Sequence, residues 1–246
     1  VSVTMKLMTT VTSKGQVDYV KIAQKIYKDI GYEDELEITG RIVTQSPDIA
    51  LGVDTGGAGD QGIMYGFATN ETDRFLPKGV VLVHKLAKSL ERSRKNGELK
   101  WLRPDGKTQV TYSGGKLHTV LVSAQHAPEI SQGEIKKEIT EKIIYPLLSA
   151  EEKKSVKILV NPTGQFVQGG FEADTGLTGR KIMVDTYGGL IPHGGGCFSG
   201  KDATKVDRSG AYMARYVAKN LVAAGYGKEI LVSGAYAIGM AEPLMI

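Results

Sequence analysis

One short window of this 246-residue chain is rich in glycine and polar side chains. Residues 194–202 read GGGCFSGKD, with four glycines, one serine and one lysine. Because glycine has no Cβ, such a loop can bring several backbone N–H groups close to an anion, and the lysine adds a fixed charge. It is not a Walker A loop, because Asp202 stands where Ser or Thr would follow the lysine. The window predicts either a phosphate site or a tight turn that leads into a helix.

The composition is that of an ordinary globular protein, with 41% hydrophobic and 24% charged residues. A net charge of +4 suits an anionic small substrate and is too small to indicate nucleic acid. The single cysteine, Cys197, excludes an internal disulfide and predicts a reducing, cytoplasmic location. No apolar run reaches the length of a membrane span, so we expect no membrane partner.

The apolar pattern predicts an α+β fold. Helical spacing predicts helices over residues 17–32, 80–95 and 209–224, and a capping box of Ser131 and Glu134 begins another. Strands are predicted at residues 3–12, 37–44, 108–112, 116–124, 156–161, 181–185 and 229–238, with a loop at 52–62. Because no regular βαβ repeat is present, the pattern favours α+β over a doubly wound parallel sheet.

Most polar residues that a core would exclude fall in four segments: residues 45–62, 103–107, 166–185 and 194–207. Their cations are Lys107, Arg180, Lys181, Lys201 and Lys205, and their acids are Asp60, Asp105, Asp174 and Asp207. No Ser-His-Asp set or Cys-His pair has recognisable spacing. This inventory suits an enzyme that positions and stabilises a polyphosphate rather than one that forms a covalent intermediate.

Each of these features also has a purely structural interpretation. Asp105-Gly106 can be a turn, and Asp207 can cap the helix that follows it. Arg180-Lys181 can be the solvated end of a strand. Phe166 can be a core residue, and Cys197 a small loop residue rather than a nucleophile.

At these same segments the chain resembles the methionine adenosyltransferase, or S-adenosylmethionine synthetase, family. The two signatures of that family are GAGDQG at residues 57–62 and GGG-x-FSGKD at residues 194–202. Further matches lie at residues 45–49, 68–72, 101–105, 176–181 and 184–189. The resemblance implies a fold of three similar α+β domains: residues 1–48 as a partial N-terminal domain, 49–167 as the central domain and 168–246 as a truncated C-terminal domain.

The resemblance also implies a reaction. Methionine sulfur attacks the 5′ carbon of ATP and expels triphosphate, which is then hydrolysed to pyrophosphate and phosphate. Members of the family use Mg²⁺ and K⁺ and serve one-carbon metabolism in the cytoplasm. They place the site between two subunits, so a homodimer or a dimer of dimers (a homotetramer) is expected here.

Family roles can be transferred to matching positions of this sequence. The catalytic charges would be Lys107, Arg180, Lys181 and Lys201. ATP would contact Asp105, Lys107, Gln165, Phe166, Asp174, Arg180, Lys181, Cys197, Lys201 and Ile238. Methionine would contact Gln45, Asp60, Asp174 and Lys205, and Mg²⁺ would be held by Asp207. Residues 45–57 would form a mobile gate.

The sequence departs from the family pattern in several places. The segment with the family's His-Pro-Asp-Lys motif and its potassium-binding glutamate has no counterpart here, and the C-terminal domain stops at Ile246. Gln165 and Cys197 replace the usual Arg and Ala. From these losses we expect weak or no turnover by the 246 residues alone. The alternative is a truncated, non-catalytic paralogue or subunit that binds ATP or S-adenosylmethionine.

Overall fold

The computed structural model describes residues 2–10, 15–44, 46–54 and 56–246. These residues divide into two compact units. Of the described residues, unit 1 contains residues 2–9, 15–42 and 81–175, and unit 2 contains residues 10, 43–44, 46–54, 56–80 and 176–246. Each unit is built around its own sheet and helices.

Unit 1 combines two small sheets with helices. Its strands are β1 (Ser2–Thr10), β2 (Glu35–Val43), β4 (Leu102–Ser113), β5 (Lys116–His126) and β6 (Lys157–Val160). Its helices are α1 (Tyr19–Ile30), α3 (Lys78–Lys95), α4 (Gln132–Glu138) and α5 (Ala150–Ser155), with a π-helical turn at Ile139–Ile144 and 3₁₀ turns at Tyr145–Leu147 and Gly170–Glu172. β1 pairs with β2, and the other sheet has the order β4-β5-β6.

The core of unit 1 lies between helix α3, the β4-β5-β6 sheet and the helical stretch from Ile135 to Leu148. β4 and β5 form the predicted antiparallel hairpin, and β6 runs parallel to β5. Fully buried side chains include Leu86, Val120, Ile139 and Ile143. Such burial is the main favourable term in folding, and here it fixes the sheet whose ends carry the polar residues described below.

Local signals at the helix ends behave as the sequence predicts. The Asp18 side chain accepts from Lys21 N–H at 2.9 Å, and Gly31 ends α1 in the left-handed region with φ 106°. The capping box of Ser131 and Glu134 is present at α4. The predicted helices at residues 17–32, 80–95 and 209–224 are therefore confirmed, within a few residues, as α1, α3 and α7 (Val206–Ala223).

Unit 2 is a two-stranded antiparallel sheet packed against one long helix. It contains α2 (Pro47–Val53), β3 (Gly62–Thr69), α6 (Ile182–Asp185), α7 (Val206–Ala223) and β7 (Glu229–Tyr236). β3 pairs with β7 over its whole length, from Gly62 opposite Tyr236 to Thr69 opposite Glu229. The buried face of α7 is made of small side chains, and this allows the helix to approach the sheet closely: Ala211, Ala214, Ala218 and Val222.

Arg215 on α7 fastens the chain that follows β3. Its guanidinium donates to the carbonyl oxygens of Phe67 at 2.7 Å, Phe75 at 2.8 Å and Arg74 at 2.9 Å. Burial lowers the pKa of this guanidinium, and the three carbonyls satisfy it. The helix and the loop after β3 are thus joined by hydrogen bonds as well as by apolar contact.

The prediction of a strand at residues 181–185 is wrong, because Ile182–Asp185 forms the short helix α6. The Thr186 hydroxyl donates to the Ile182 carbonyl at 2.8 Å, and Gly188 N–H donates to Met183 O at 2.9 Å. These local bonds satisfy backbone groups that a strand would have to pair with a neighbour. Val184 is 61% exposed, so the apolar run does not mark a buried strand.

The sequence pattern does not predict helices α2 and α5 or strand β3. Residues 47–53 form helix α2, so the predicted loop begins only after Val53. Ser46 caps this helix, with its side chain accepting from Asp48 N–H at 3.3 Å, and Pro47 occupies the first helical position. Strand β3 was missed altogether, because Gly62 and Gly66 interrupt its apolar pattern. Within the described ranges, no helix has both the length and the apolar character to cross a bilayer.

The packing of unit 1 predicts a large cost for truncating its core. Leu86→Ala is expected to lower the free energy of unfolding by about 2–5 kcal/mol, because the side chain is fully buried and its loss leaves a cavity. Val17→Ala, at a position 52% exposed, is the control and should cost no more than about 0.5 kcal/mol. Urea titration followed by circular dichroism measures both, and equal losses would contradict this account of the core.

Candidate functional site

In unit 2, the GAGDQG segment at residues 57–62 packs its main chain directly against residues 238–240. Ala58 N–H donates to Met240 O at 2.9 Å, and Gly239 N–H donates to Ala58 O at 2.8 Å. A methyl group at Gly57 would overlap the Gly239 main chain, so this approach requires glycine. Ile238, predicted to line the base pocket, is 51% exposed beside this contact.

The same segment adjoins the chain that leads into helix α7. A Cβ at Gly59 would lie 3.5 Å from the carbonyl oxygen of Thr204. Asp60 is exposed, and its carboxylate accepts from Gln61 N–H at 2.8 Å. Lys205 is the N-cap residue of α7, with its Nζ 3.3 Å from the Thr204 hydroxyl oxygen. The structure therefore brings the segments of Asp60 and Lys205, both predicted to bind methionine, to one side of unit 2.

The turn between Lys201 and Lys205 is closed by Asp202. Its carboxylate accepts from the Thr204 hydroxyl at 2.6 Å and from Thr204 N–H at 2.8 Å. The hydroxyl bond, followed by the backbone bond, lowers the pKa of Asp202. Asp202 therefore shapes this loop in its ionised form.

Lys201 and Asp207 form an ion pair inside the glycine-rich loop. Their side chains are 26% and 17% exposed, so solvent screens this pair less than it screens surface pairs. Asp207 lies in the first turn of α7, where the helix dipole favours an anion. The expectation that Asp207 caps this helix is wrong: Lys205 occupies the cap position, and no side chain forms a cap hydrogen bond.

The loop leaves room for the Asp207 carboxylate only because residue 196 has no side chain. A methyl group at Gly196 would overlap that carboxylate. Arg208 donates from its guanidinium to the Lys201 carbonyl oxygen, and this holds the base of the loop against the helix. The glycine-rich loop is therefore shaped around a charged pair, which is more than a turn into a helix requires.

Arg180, Lys181 and Cys197 lie near each other in unit 2. Gly179 packs so closely on Cys197 that a Cβ there would lie 2.7 Å from the cysteine sulfur. Lys181 stands at the N-terminal end of α6, and both cations are exposed. Arg180 and Lys181 are therefore not the end of a strand, because residues 182–185 form helix α6. Cys197 is half-buried as a packing residue against Gly179.

A small cavity of about 10 Å³ lies beside Asp207, with Tyr187, His193 and Phe198 among its lining residues. This volume is close to that of one water molecule. His193 Nδ1 accepts from Gly195 N–H at 2.7 Å. Burial lowers the pKa of His193, against the opposing charges of Asp185 and Asp207. The neutral ring with an unprotonated Nδ1 is therefore the form that the loop requires.

Unit 1 holds the other predicted site residues. Asp105 lies inside strand β4, so the turn interpretation of Asp105-Gly106 is wrong; the strand has an irregular register between Leu102 and Gly106. The Asp105 carboxylate accepts from Gly170 N–H at 2.9 Å. Burial, and then the charge of Asp105, raises the pKa of Tyr32. Lys107 is exposed two residues further along the strand.

The segment at residues 165–174 lies alongside the end of β5. Phe166 is half-buried, while Gln165 and Asp174 are exposed. Phe166 N–H donates to His126 Nε2 at 3.0 Å, and Phe166 O accepts from His126 N–H at 2.9 Å. Unit 1 thus brings Asp105, Phe166 and Gly170 together through short hydrogen bonds. Gln45, predicted to contact methionine, lies outside the described residues.

Sequence reasoning did not find Gln125 and His126, which hold this arrangement. Both are buried at the end of the apolar strand β5, 7% and 2% exposed. Polar residues that end an apolar strand run are a usable signal, because burial of such groups is costly unless they are hydrogen-bonded. That signal does not identify their partners, which lie up to 42 residues away in the chain.

No group of three or more His, Cys, Asp or Glu side chains in the described part of the chain forms a metal-binding cluster. Mg²⁺ is commonly bound by one or two carboxylates together with waters and substrate phosphates, so the Asp207 carboxylate in the glycine-rich loop is compatible with such an ion.

The close contact at Gly196 predicts a site-specific effect. Gly196→Ala is expected to displace the Asp207 carboxylate and to lower the stability of unit 2 by about 1–3 kcal/mol, because the loop main chain must shift. Gly176→Ala, where an added Cβ meets nothing within 4 Å, is the matched control. Thermal unfolding of both variants measures the difference, and equal midpoints would contradict the proposed packing.

The lowered pKa of His193 predicts a pH effect on stability. The unfolded chain binds a proton near pH 6.5, above the folded pKa, so the contribution of His193 is present above pH 6.5 and is lost as pH falls. His193→Asn should therefore show a smaller drop in melting temperature than the parent between about pH 7.5 and about pH 5.5. Thr111→Asn, which introduces the same residue type at an exposed position of β4 that does not titrate, should keep the parent slope. An unchanged slope in His193→Asn would refute the assignment.

Comparison with known proteins is consistent with this geometry. The family model described as the S-adenosylmethionine synthetase central domain matches residues 55–166, and that of the C-terminal domain matches residues 168–246. A curated S-adenosylmethionine synthase from Petrotoga mobilis is 50% identical over 266 aligned positions. The alignment covers 96% of this chain and 66% of that relative. This chain therefore belongs to the S-adenosylmethionine synthetase family.

Proposed function

We propose that this chain belongs to a protein that makes S-adenosylmethionine from ATP and L-methionine. In this reaction the methionine sulfur forms a bond to C5′ of ATP, the C5′–O bond breaks, and triphosphate leaves with the electron pair. One water then splits triphosphate into pyrophosphate and phosphate. The products carry all atoms of ATP, methionine and water, so no further reactant is needed.

One observation carries this proposal beyond family membership. In unit 2 the two family signatures, residues 57–62 and 194–202, contribute Ala58 and Phe198 to one small apolar cluster, and the loop of the second signature holds the Lys201–Asp207 pair. Three of the cations expected for a triphosphate are exposed or half-buried in that same unit: Arg180, Lys181 and Lys201. Preorganised cations stabilise the charge that develops on a leaving triphosphate, which is the main demand of this displacement.

The Lys201–Asp207 pair supports a simple exchange on binding. With magnesium triphosphate bound, Lys201 would pair with a phosphate oxygen and Asp207 would hold the cation. Each charge would then keep an opposite partner, so the partly buried site would not hold an unpaired charge, which is costly. The small cavity beside Asp207 gives the carboxylate a polar neighbour in His193.

Mg²⁺ would supply charge neutralisation of the phosphates and polarisation of the bonds to be broken. Asp207 is its proposed protein ligand, and substrate phosphates and water complete the shell. No described residue is proposed as a ligand of K⁺, and no step is assigned to that ion.

Unit 1 has the features expected of a site for the adenosine part of ATP. Phe166 offers a half-buried ring for stacking, and Asp105 offers a fixed carboxylate for hydrogen bonds to hydroxyl or amino groups. Lys107, Gln165 and Asp174 are exposed and available for contacts to the nucleotide. Methionine would be held through Asp60 and Lys205, whose charges match its ammonium and carboxylate groups.

We also propose that the protein self-associates through the β3–β7 sheet. Helix α7 covers one face of this sheet, and Ala68, Ala218 and Val222 are buried there. On the opposite face Tyr187 covers Phe67, whereas Ile63 and Leu231 remain 43% and 46% exposed. An exposed apolar sheet face favours burial against a second copy, which agrees with the dimer that the family implies.

The proposed phosphate role of Lys201 predicts a binding defect. Lys201→Met should weaken the binding of magnesium tripolyphosphate by about tenfold to a hundredfold, because a charge-assisted hydrogen bond is lost. Lys116→Met is the control, because it removes one positive charge at the exposed first residue of β5, away from the site. Isothermal titration calorimetry measures both, and parent-like affinity in Lys201→Met would overturn the role of Lys201.

Turnover is tested separately by incubating the 246-residue chain with ATP, L-methionine, Mg²⁺ and K⁺ and quantifying S-adenosylmethionine by chromatography. Product formation would support catalysis by these residues alone. ATP binding without product would favour the second function, a nucleotide-binding chain without turnover. Failure to bind ATP, methionine and tripolyphosphate would reject both.

A further inference from the structure

We propose that Gln125 and His126 are positioning residues that hold the adenosine-binding part of the site in its bound geometry. This inference rests on the proposed function, because it concerns Asp105 and Phe166 as nucleotide contacts. Neither side chain is assigned to a ligand. Both act through main-chain groups of the two segments that carry those contacts.

Gln125 joins β4 to the segment after Phe166. Its Oε1 accepts from Asp105 N–H at 3.0 Å, and its Nε2 donates to Val167 O at 3.0 Å. Gly169 packs directly on this amide, where a Cβ would lie 2.6 Å from the amide carbon. One buried side chain thus sets the spacing between the main chain of Asp105 and that of the neighbouring segment.

Asp105 is fixed from a second direction. Gly170, one residue beyond the Gly169 contact, donates its N–H to the Asp105 carboxylate at 2.9 Å. The carboxylate is therefore oriented by the very segment that Gln125 ties to β4. Loss of the Gln125 amide would release both the main chain of Asp105 and the segment that orients its side chain.

His126 fixes the segment at Phe166. Its main-chain N–H donates to Phe166 O at 2.9 Å, and its Nε2 accepts from Phe166 N–H at 3.0 Å. Its Nδ1 lies 2.8 Å from Ala127 O. A backbone N–H can only donate and a carbonyl can only accept, so the ring carries its proton on Nδ1. Gln132 Nε2, 3.2 Å from Nε2, adds a second donor to the same nitrogen.

A purely space-filling role does not explain these residues. The preceding positions of β5 that face the core are apolar, with Val120, Val122 and Ala124 fully buried. Apolar side chains would fill positions 125 and 126 without the cost of burying an amide and an imidazole. The polar groups are compensated by hydrogen bonds to the Asp105 and Phe166–Val167 main chains, so what they contribute is the placement of those segments.

The test uses four variants of the full chain. Gln125→Met removes both hydrogen bonds of the side-chain amide and keeps a side chain of similar size. His126→Asn keeps a donor near the Nδ1 position but loses the acceptor for Phe166 N–H, whereas His126→Gln keeps an acceptor near the Nε2 position. Ser93→Ala is the control, because Ser93 is 1% exposed and donates to Glu98 at 2.9 Å away from these segments.

Three measurements are made on each folded variant: affinity for ATP, affinity for magnesium tripolyphosphate, and hydrogen–deuterium exchange over residues 161–170. Gln125→Met and His126→Asn should weaken ATP binding about tenfold or more and accelerate exchange, with tripolyphosphate affinity unchanged. His126→Gln should recover to near the parent values, and Ser93→Ala should match the parent in all three.

Parent-like ATP affinity and exchange in Gln125→Met and His126→Asn would overturn the proposal. An equal loss of ATP and tripolyphosphate affinity would also overturn it, because that result indicates general destabilisation. If the parent binds neither ligand, the proposed function fails instead. The exchange measurement then still decides whether these side chains hold the segment, and unchanged exchange would refute it.

Discussion

The arrangement of unit 2 depends on close approaches that are possible only because glycine has no side chain. At Gly57 the GAGDQG segment meets residue 239, and at Gly196 the glycine-rich loop meets the Asp207 carboxylate. The close approach places charged side chains along the rims of these contacts, where they remain half-exposed. Lys201 and Asp207 are paired, and Lys205 begins helix α7. In the two family signatures the glycines are therefore needed for close packing, and the charged residues are placed by that packing.

In unit 1 the main structural feature is the set of hydrogen bonds that fixes the segment at residues 166–170. The sheet and the helices around it supply a buried apolar core, and the end of β5 supplies two hydrogen-bonding side chains. Through them the rigidity of the sheet is extended to residues 166–170. Binding to a segment that is already ordered costs less conformational entropy than binding to a segment that becomes ordered only in the complex.

Much of the fold followed from local signals in the sequence. Helices α1, α3 and α7 have clear apolar periodicity, and the hairpin of β4 and β5 was marked by Ser113-Gly114-Gly115. Strand β3 escaped notice because glycine interrupts it and because its two faces are both largely apolar. The segment Ile182–Asp185 was mistaken for a strand because a short apolar run carries no information about whether a pairing partner exists.

The site was predictable only in part. Family motifs located the charged residues, whereas the ion pair of Lys201 with Asp207 and the role of Gly196 required coordinates. The amide of Gln125 was beyond sequence reasoning, because its two partners are 20 and 42 residues away. Contacts of that range are set by how β4, β5 and the following segment pack, and no local pattern encodes them.

The fixed tautomer of His126 has a spectroscopic consequence. With its proton on Nδ1 and two donors at Nε2, the ring has one pyrrole-like and one pyridine-like nitrogen in a known order. Nitrogen chemical shifts distinguish these two types, so the imidazole reports whether Phe166 remains attached to β5. The nitrogen chemical shifts of His126 can therefore be used to follow the segment at Phe166 in the absence of any ligand.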